Sequence, residues 1–430
     1  MSARATNCIV GLLLALSNAA LAADARVRPG IEEFLRAHVA QYRGKRLGLV
    51  THPAGIDGES RSTLDLLARP PDLHLGALYG PEPGARGNAQ AGEYVPFYVD
   101  EIYHLPVFSL YGQTLKPTPG MLRDLDESMR RFDTDHAAKA PSRDMVRNVD
   151  VLIIDLQDVG TRVYTYAATM AYCLQAAAEL GIEVVVLDRP NPINGIDMEG
   201  PLLDDPALGS PVGLYPIPLR HGLTIGELAR LFNGEFLERK AHLTVVPMAG
   251  WRRSMWFDQT GLPWVWPSPN MPTPDTATVY PGQVFFEGTN VSEGRGTTRP
   301  FETIGAPWID GHALAERLNA LDLPGVRFRE CWFTPSFSKF SGQLCGGVQL
   351  QVTDRGRYRS FAVMLHTLRV LSQRYPHDFR FHDEYFDRLM GSARVRQQLQ
   401  SGVPVEIILD GCEQERRPFA QRRRPYLLYD

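Results

Sequence analysis

The chain alternates between short apolar runs and polar connections rich in glycine and proline, a pattern typical of a sheet with parallel strands. Apolar runs predict strands at Arg46–Thr51, Leu73–Leu78, Val107–Leu110, Val151–Ile154, Val184–Leu187 and Leu243–Val246. A helix is predicted over Tyr164–Leu180 and ends at Gly181, and another begins at Thr224, where Glu227 completes a capping box. Strand, helix and strand in this order predict right-handed βαβ units.

A second set of elements follows a change in composition. Residues Trp251–Arg299 are rich in proline, aromatic residues and glycine, which predicts long ordered loops. Beyond them we predict a helix at His312–Leu321, a strand at Gly347–Thr353 and a helix at Tyr358–Gln373. We therefore predict an α/β protein with one domain at residues 23–300 and a smaller α/β domain at 301–430. A charged helix at Met121–Arg131 and an exposed insertion at Asp133–Arg147 complete the predicted first domain.

The first 22 residues have the features of a signal peptide. Arg4 precedes a short apolar core at Ile9–Leu16, and Ala20–Ala22 forms a small-x-small cleavage signal. The core is too short to span a bilayer, and no later stretch is long and apolar enough to do so. We expect cleavage before Ala23 and export to the periplasm or beyond.

Composition narrows the class of protein. The chain has 430 residues, of which 44% are hydrophobic and 22% charged, and its net charge is −4, so no attraction to nucleic acid is expected. It lacks a Gly-x-Gly-x-x-Gly or phosphate-binding loop, a Gly-x-Ser-x-Gly elbow and closely paired zinc-type cysteines. We expect no metal and no organic cofactor. After export, Cys331 and Cys345 are the best candidates for a disulfide, and buried free thiols are the equal alternative.

Polar side chains follow several predicted strands at the point where each strand ends. Val151–Ile154 runs directly into acidic and basic residues, the strand before Tyr79 ends in a glycine-rich loop that carries Glu82, and Val184–Leu187 ends in Asp188–Gly195. In open α/β sheets, ligands bind beyond the carboxyl ends of the strands. The candidate residues at these ends and in the loops before Pro300 are Glu82, Asp155, Asp158, Arg162, Tyr164, Tyr166, Asp188, Arg189, Asn191, Asn270, Glu287, Asn290, Glu293, Arg295 and Arg299.

These residue types are typical of a site that binds a carbohydrate. Paired carboxylates serve as acid and base in glycoside cleavage, aromatic faces such as Trp264 and Trp266 stack on sugar rings, and arginines hold anions. Purely structural roles are also open. Asp188 and Arg189 are equally expected as a local ion pair, Asp155 as a cap of the next loop, and the two tryptophans as packing at the domain junction.

Several longer strings of residues together resemble the exo-β-N-acetylmuramidase family (NamZ-like), formerly a domain of unknown function. The resemblance covers nearly the whole chain after the signal segment. The strings are Gly48–Thr51, Tyr79–Glu82, Asp155–Gly160, Leu187–Gly195, Gly213–Pro218, Arg220–Gly222, Ser268–Thr273, Phe286–Asn290 and Ser292–Pro300. In one position the chain departs from the family: Pro83 stands where members usually have His after the glutamate.

The resemblance implies a Rossmann-like domain with a parallel sheet, a smaller C-terminal domain and an active site in the cleft between them. It implies an exo-acting glycoside hydrolase that removes N-acetylmuramic acid (MurNAc) from the non-reducing end of peptidoglycan fragments, such as muropeptides and MurNAc-GlcNAc. The lactyl carboxylate of this sugar calls for a cation, with Arg162, Arg189, Arg295 and Arg299 as candidates.

Roles follow from the same inventory. Glu82 is the expected general acid/base. Asp155, Asp158 or Glu293 is the second carboxylate or orients the acetamido group of the substrate, and Tyr164 or Tyr166 supports an oxocarbenium-like state. Two alternatives remain open: a periplasmic muropeptide-binding protein that has lost catalysis, and a hydrolase of another acidic sugar or an ester.

Overall fold

The computed structural model describes residues 26–82, 84–87, 89–90, 95–110, 116–117 and 149–430. The predicted signal peptide, Pro83, the helix predicted at Met121–Arg131 and the insertion at Asp133–Arg147 lie outside these residues. No helix in the described part of the chain is long and apolar enough to cross a membrane.

The first half of the described chain contains a seven-stranded sheet whose order is β3-β4-β2-β1-β5-β6-β7. Its strands are β1 Arg46–Thr51, β2 His74–Gly80, β3 Tyr98–Val99, β4 Pro106–Ser109, β5 Val151–Asp155, β6 Glu183–Leu187 and β7 His242–Val246. All neighbouring pairs are parallel except the pair formed by β3 and β4. The predicted parallel sheet is confirmed. Because the chain places β2 on one side of β1 and β5 on the other, the sheet has a topological switch point beside β1.

Both faces of this sheet are covered, which explains why its strands are apolar without alternation. The helices of this half are α1 Gly30–Ala37, α2 Val39–Tyr42, α3 Thr63–Ala68, α4 Tyr166–Leu180 and α5 Ile225–Leu231. On β5, Val151 and Ile153 pack into one apolar cluster, whereas Leu152 and Ile154 pack into the other. Gly181 ends α4 in the left-handed region at φ 66°, and Thr224 and Glu227 form the predicted capping box of α5.

The segment Trp251–Arg299 was predicted as loops, and this is wrong in part. It contains α6 Pro274–Gln283, which begins with the side chain of Thr273 accepting a hydrogen bond from the backbone N–H of Thr276. Proline at the first helical position fits the fixed φ of that residue. A second proline, Pro281, lies inside the helix and masks it in the sequence.

A smaller antiparallel sheet follows, with the order β8-β10-β9 in the described residues. Its strands are β8 Thr303–Ala306, β9 Val326–Phe333 and β10 Cys345–Val352. The accompanying helices are α7 Gly311–Asn319, α8 Ser360–Arg374, α9 Asp383–Met390, α10 Arg394–Gln400 and α11 Val405–Arg422. The structure is thus a mixed α/β fold of two sheets, as predicted, although β8, β9 and the helices after α8 were not foreseen.

The cysteines of the described chain are free thiols. Cys173, Cys331, Cys345 and Cys412 are all buried and none forms a disulfide. The expected bridge between Cys331 and Cys345 fails because of strand register: Cys345 lies opposite Phe333, and Cys331 lies opposite Gly347. The two cysteines are therefore diagonal neighbours on β9 and β10, typically about 7–8 Å apart, beyond the usual reach of a disulfide.

Candidate active site

A cavity of about 510 Å³ opens beyond the carboxyl ends of β2 and β5, between the first half of the chain and the second. The first half contributes the loops that follow these two strands. The second half contributes the segment from Tyr280 to Phe301, the connection between β9 and β10, and α9. The titratable and aromatic side chains around the cavity are Glu82, Tyr164, Tyr280, Glu287, Glu293, Arg295, Phe301, Phe337, Lys339 and Tyr385.

Glu82 forms part of the wall contributed by the first half. It follows β2 by two residues and is partly buried, and the hydroxyl of Thr165 lies 3.4 Å from its Oε2. Thr165 and Tyr164 belong to the loop that connects β5 to α4. The side-chain amide of Asn270 donates a 3.2 Å hydrogen bond to Gln90, which joins the glycine-rich loop after β2 to the loop before α6.

The wall that the second half of the chain contributes carries carboxylates and cations that alternate along it. Arg295 Nη2 lies 2.7 Å from Glu287 Oε1, and Arg295 Nε lies 3.4 Å from Glu293 Oε1. Lys339 Nζ lies 3.1 Å from Glu293 Oε2. The hydroxyl of Tyr385 donates a 2.9 Å hydrogen bond to Glu287 Oε2. Both carboxylates are therefore paired with cations while they line the cavity.

Burial and neighbouring charges shift the ionisation of this wall. Burial alone would lower the pKa of Arg295, but Glu287 and Glu293 beside it raise that pKa above its ordinary value. Burial, and then the charge of Glu287, raise the pKa of Tyr385. Burial also raises the pKa of the Tyr164 hydroxyl. Burial raises the pKa of Tyr280 in the same way, so the site holds a guanidinium and three neutral phenols at neutral pH.

Aromatic rings form the floor of the cavity. The ring of Tyr164 stands 6.0 Å from that of Tyr280 in an edge arrangement, and Tyr280 stands 4.8 Å from Phe301 in the same way. The guanidinium carbon of Arg295 lies 5.1 Å from the centre of the Phe301 ring. An apolar floor beside paired carboxylates suits a pyranose ring, which has both apolar faces and polar edges.

Of the residues predicted from the sequence, the structure brings Glu82, Tyr164, Asn270, Glu287, Glu293 and Arg295 to this cavity. The remaining predicted residues lie elsewhere among the described residues and have other partners. Among them, Asp155 and Arg189 form a fully buried ion pair, with Arg189 Nη2 2.8 Å from Asp155 Oδ2. Thr63 also contacts this carboxylate, and Ile56 accepts from the guanidinium at 2.8 Å.

Asp188 and Asn191 stabilise the loop after β6. Asp188 accepts hydrogen bonds from the Thr224 hydroxyl at 2.8 Å, from the backbone N–H of Gly226 at 2.8 Å and from the Tyr429 hydroxyl at 2.6 Å. It therefore caps the start of α5 and anchors the end of the chain. Asn191 donates to the carbonyl of Leu223 at 3.0 Å. Asp188 and Arg189 do not pair with each other through their side chains, because each is engaged with a different element.

The loop after β5 is held by three more predicted residues. Asp158 accepts a 2.7 Å hydrogen bond from the backbone N–H of Gly160, which stabilises the turn. Tyr166 donates a 2.6 Å hydrogen bond to the carbonyl of Pro267. The guanidinium of Arg162 donates hydrogen bonds of 2.7–3.1 Å to four backbone carbonyls, those of Pro201, Ile217, Leu389 and Met390. Arg162 thus joins the two halves of the chain rather than facing the cavity.

Asn290 and Arg299 also point away from the cavity. Asn290 donates to the carbonyl of Asp378 at 2.7 Å and accepts from the backbone N–H of Arg380 at 2.8 Å. Arg299 pairs with Glu302 at 3.0 Å and lines a separate open groove along β10. Of the four arginines proposed for the lactyl group, Arg295 is the one that reaches the cavity.

Sequence reasoning missed Lys339, Tyr280 and Tyr385 at this cavity. Tyr280 lies in α6, which the sequence does not reveal, and Tyr385 lies in α9, 46 residues beyond Lys339 and 90 residues beyond Arg295. Lys339 belongs to the connection between β9 and β10. In the sequence, Lys339 is a single cation in a polar loop. That pattern does not indicate which distant part of the chain the lysine contacts.

Two α/β halves that meet at a cavity walled by carboxylates, cations and aromatic rings form an arrangement typical of enzymes that act on carbohydrates. Family models agree with this class. The model described as "Exo-beta-N-acetylmuramidase NamZ, N-terminal" matches residues 47–132 and 132–275, and its C-terminal counterpart matches residues 278–429. The chain belongs to the NamZ family of exo-beta-N-acetylmuramidases.

Individual relatives support the same assignment. The chain is 49% identical over 405 residues to the peptidoglycan beta-N-acetylmuramidase NamZ of Bacillus subtilis strain 168, covering 94% of this chain and 92% of that protein. Two crystal structures of DUF1343 family proteins from Bacteroides fragilis are similar in fold. One has a TM-score of 0.82 at 35% identity and covers 94% of this chain and 100% of that one. The other has a TM-score of 0.71 at 30% identity, with 94% and 99% covered.

Proposed function

We propose that this protein is an exo-acting glycoside hydrolase that releases MurNAc from the non-reducing end of peptidoglycan fragments. The observation that carries the proposal is the convergence of Glu82, from the first half of the chain, with the paired carboxylates Glu287 and Glu293, from the second half, on one cavity. The family and the named activity of the Bacillus subtilis relative support the choice of sugar.

Glu82 is the proposed general acid. It lines the cavity from the first half of the chain, and the hydroxyl of Thr165 lies 3.4 Å from its carboxylate. A carboxyl group in this position protonates the glycosidic oxygen as the bond to the leaving sugar breaks.

Glu293 is the proposed second carboxylate. Its side chain is 3% exposed and lies between Arg295 and Lys339, so it faces the cavity as an anion. An anion here stabilises the positive charge that develops on the sugar ring, or orients the acetamido group to take part in the reaction. Tyr164 lines the same cavity, where its neutral phenol supports the same charge. Asp155 and Asp158, with their structural partners, are not given this role.

Arg295 is the proposed partner of the lactyl carboxylate. It is the predicted arginine that lines the cavity, and its surroundings hold it firmly protonated. The guanidinium already pairs with Glu287 and Glu293. A substrate without a lactyl group, such as an N-acetylglucosaminide, lacks the further carboxylate that this cation would bind, and selectivity for the muramide follows from the loss of that contact.

A panel of chromogenic substrates tests the proposed function. Purified protein is incubated with the β-N-acetylmuramide, the β-N-acetylglucosaminide and an acyl ester, and release is followed over time. Preferred hydrolysis of the muramide supports the proposal. Cleavage of the other glycoside or the ester at a higher rate contradicts it. Binding of MurNAc-GlcNAc without any release over long incubation would instead establish a muropeptide-binding protein.

We also infer that the protein is exported, on the strength of Arg4, the apolar run Ile9–Leu16 and the small residues at Ala20–Ala22. Expression of the full chain in a bacterial host, followed by sequencing of the N-terminus of the periplasmic product, is expected to give a chain that begins at Ala23. An intact N-terminus that stays in the cytoplasm contradicts this inference.

A further inference from the structure

The Lys339 ammonium has four hydrogen-bond acceptors around it at the cavity, and the proposed reaction gives this cation no role of its own. Its ammonium contacts the carbonyls of Phe286 at 2.7 Å, Glu287 at 3.2 Å and Val291 at 3.1 Å, and the Glu293 carboxylate at 3.1 Å. An ammonium has three protons to donate. Four acceptors around it therefore form a complete and partly shared set, which fixes the nitrogen in place.

The three carbonyls belong to the segment that carries both cavity carboxylates. Phe286 and Glu287 end the short helix Val284–Gly288, and Val291 precedes Glu293 by two residues. By closing this curved segment around one nitrogen, Lys339 sets the direction in which Glu287 and Glu293 leave the backbone. A lysine that only capped carbonyls would not need to contact a carboxylate at the cavity as well.

The loop that delivers Lys339 is held in an unfavourable backbone conformation. Ser338 and Phe340, on either side of it, have φ values of 69° and 57°, in the left-handed region that side chains other than glycine rarely adopt. The backbone N–H and the hydroxyl of Ser336 both donate to the carbonyl of Gly296, at 2.9 and 3.0 Å, which anchors the loop to the segment that follows Arg295. Strain of this kind persists where the surroundings over-determine it, and it clusters at functional sites.

We propose that Lys339 is a positioning residue for glycoside cleavage, which holds Glu293 as an anion aimed into the cavity and fixes the Phe286–Glu293 segment. This inference rests on the proposed function. The charged groups that contact Glu293 are Arg295 and Lys339. Glu287 is paired with the same Arg295, and the Tyr385 hydroxyl donates to Glu287. Lys339 acts through Glu293, since its donors are directed at protein acceptors.

The test compares Lys339→Met with the wild-type protein on the chromogenic β-N-acetylmuramide. Misplacement of a reacting group by about 1 Å costs about 100-fold in rate, so kcat is expected to fall by about that factor while KM changes by less than about threefold. The acidic limb of the kcat profile against pH is expected to move to higher pH, because one of the two cations that favour the ionised carboxylate is gone.

Lys240→Met is the matched control. The Lys240 ammonium also contacts two carbonyls, of Gly234 at 3.0 Å and Leu237 at 2.7 Å, but it lies outside the cavity. It is expected to keep the wild-type kcat and pH profile. A folded Lys339→Met protein with the wild-type kcat and the wild-type acidic limb overturns the proposal.

If Lys339→Met does not fold, the Lys339→Arg variant provides the test of the proposal. The guanidinium keeps the charge, but its planar fork does not reproduce the contacts of a compact ammonium. The acidic limb is then expected at its wild-type pH with a reduced kcat, and a wild-type kcat overturns the proposal. These outcomes are all measured against an active wild-type protein. A wild-type protein that releases no MurNAc from any substrate instead overturns the proposed function itself.

Discussion

At the carboxyl end of β5, Asp155 is fully buried and holds the guanidinium of Arg189, itself 4% exposed. A charge in this position is tolerated because its partner and the Thr63 hydroxyl satisfy it. The pair connects β5 to the loop after β6 and contacts the backbone of Ile56. Its role is therefore to stabilise the edge of the sheet from which the loops around the candidate site extend.

Asp155→Asn is predicted to destabilise the protein without abolishing catalysis. Breaking a buried pair by removing one charge leaves the other uncompensated, at a cost of about 3–5 kcal/mol in the free energy of unfolding. Urea denaturation measures this loss, and kcat is determined on the folded protein. Asp150→Asn is the control, since Asp150 forms an exposed pair with Arg46 at the other end of the same sheet and should cost less than about 1 kcal/mol. An Asp155→Asn protein of wild-type stability but without activity would show a catalytic role.

Asp188 gives the protein a stability that depends on pH. Burial, with Glu227 nearby, raises the pKa of Asp188 to about 7, although hydrogen bonds from Tyr429 and the start of α5 oppose the shift. In the unfolded chain the same group titrates near 4. A carboxyl group with a raised pKa in the folded state stabilises fully below about pH 4, and this contribution is lost as pH rises through about 7.

We therefore predict that the free energy of unfolding of the wild-type protein falls relative to that of Asp188→Asn between about pH 5 and pH 8. The substituted amide keeps one acceptor oxygen, for Gly226 or for the hydroxyls of Thr224 and Tyr429, and it does not titrate. Denaturation curves of both proteins across this range provide the measurement. A difference between them that is constant, or that grows in favour of the wild type with rising pH, contradicts the prediction.

At the scale of elements, two loops of the second half build the charged wall together. The segment from Glu293 to Arg299 packs against the connection between β9 and β10, and Gly296 lies at the contact. Gly296 has a φ of 80°, and a Cβ at this position would meet the backbone oxygen of Phe337 at 2.6 Å and its nitrogen at 2.8 Å. Neither loop can give way without moving Phe337 and Lys339 at the cavity.

Gly296→Ala is accordingly predicted to lower kcat/KM for the muramide by about tenfold or more, because the clash displaces groups that line the cavity. Gly342→Ala is the matched control in the neighbouring turn. Gly342 has a similar φ of 73° but no atom within 4 Å of the position of a Cβ. It should lose about 1 kcal/mol of stability from left-handed strain and keep its activity. Equal kinetics of the two variants would mean that the contact does not matter.

The elements that sequence predicts well are those set by local pattern. The apolar runs of β1, β5 and β6 are buried on both faces, and the capping box at Thr224 and Glu227 needs only two residues at the right spacing. Helix α6 was missed because Pro281 contradicts the usual pattern of a helix, and tertiary packing overrides that local preference. Strand β9 begins with the usual alternation of buried and exposed residues, Val326 to Arg329, but the alternation breaks at Glu330, which leaves too short a signal in the sequence.

The candidate site is likewise predicted only as far as local sequence pattern determines it. Residue types and strand ends identify which side chains are available, so Glu82, Glu293 and Arg295 were found. They do not reveal which of them pair with each other. Arg162 and Asp155 are of residue types expected at a site, but Arg162 donates to backbone carbonyls and Asp155 pairs with Arg189. Lys339, in contrast, reaches the site from a distant loop. Such pairings depend on three-dimensional contacts between remote segments.

For the whole molecule, the candidate active site lies where the two halves of the described chain meet. Arg162 of the first half is bonded to the carbonyls of Leu389 and Met390 in the second. At the end of the chain, Tyr429 returns to Asp188. These bonds hold together the two halves that bring Glu82 and Glu293 to one cavity. The central claim is that this juxtaposition cleaves a glycosidic bond, with Glu82 as the proton donor.

The most direct test is the kcat of Glu82→Gln for release of MurNAc from a β-N-acetylmuramide, with Glu183→Gln as control. Glu183 is also a partly buried carboxylate, bonded to Tyr42 and Lys45, but it lies at the opposite edge of the same sheet. General acid catalysis contributes about 10²–10⁴-fold, so Glu82→Gln should lose that much while still binding MurNAc-GlcNAc, and Glu183→Gln should remain active. Full activity in folded Glu82→Gln protein would contradict the account.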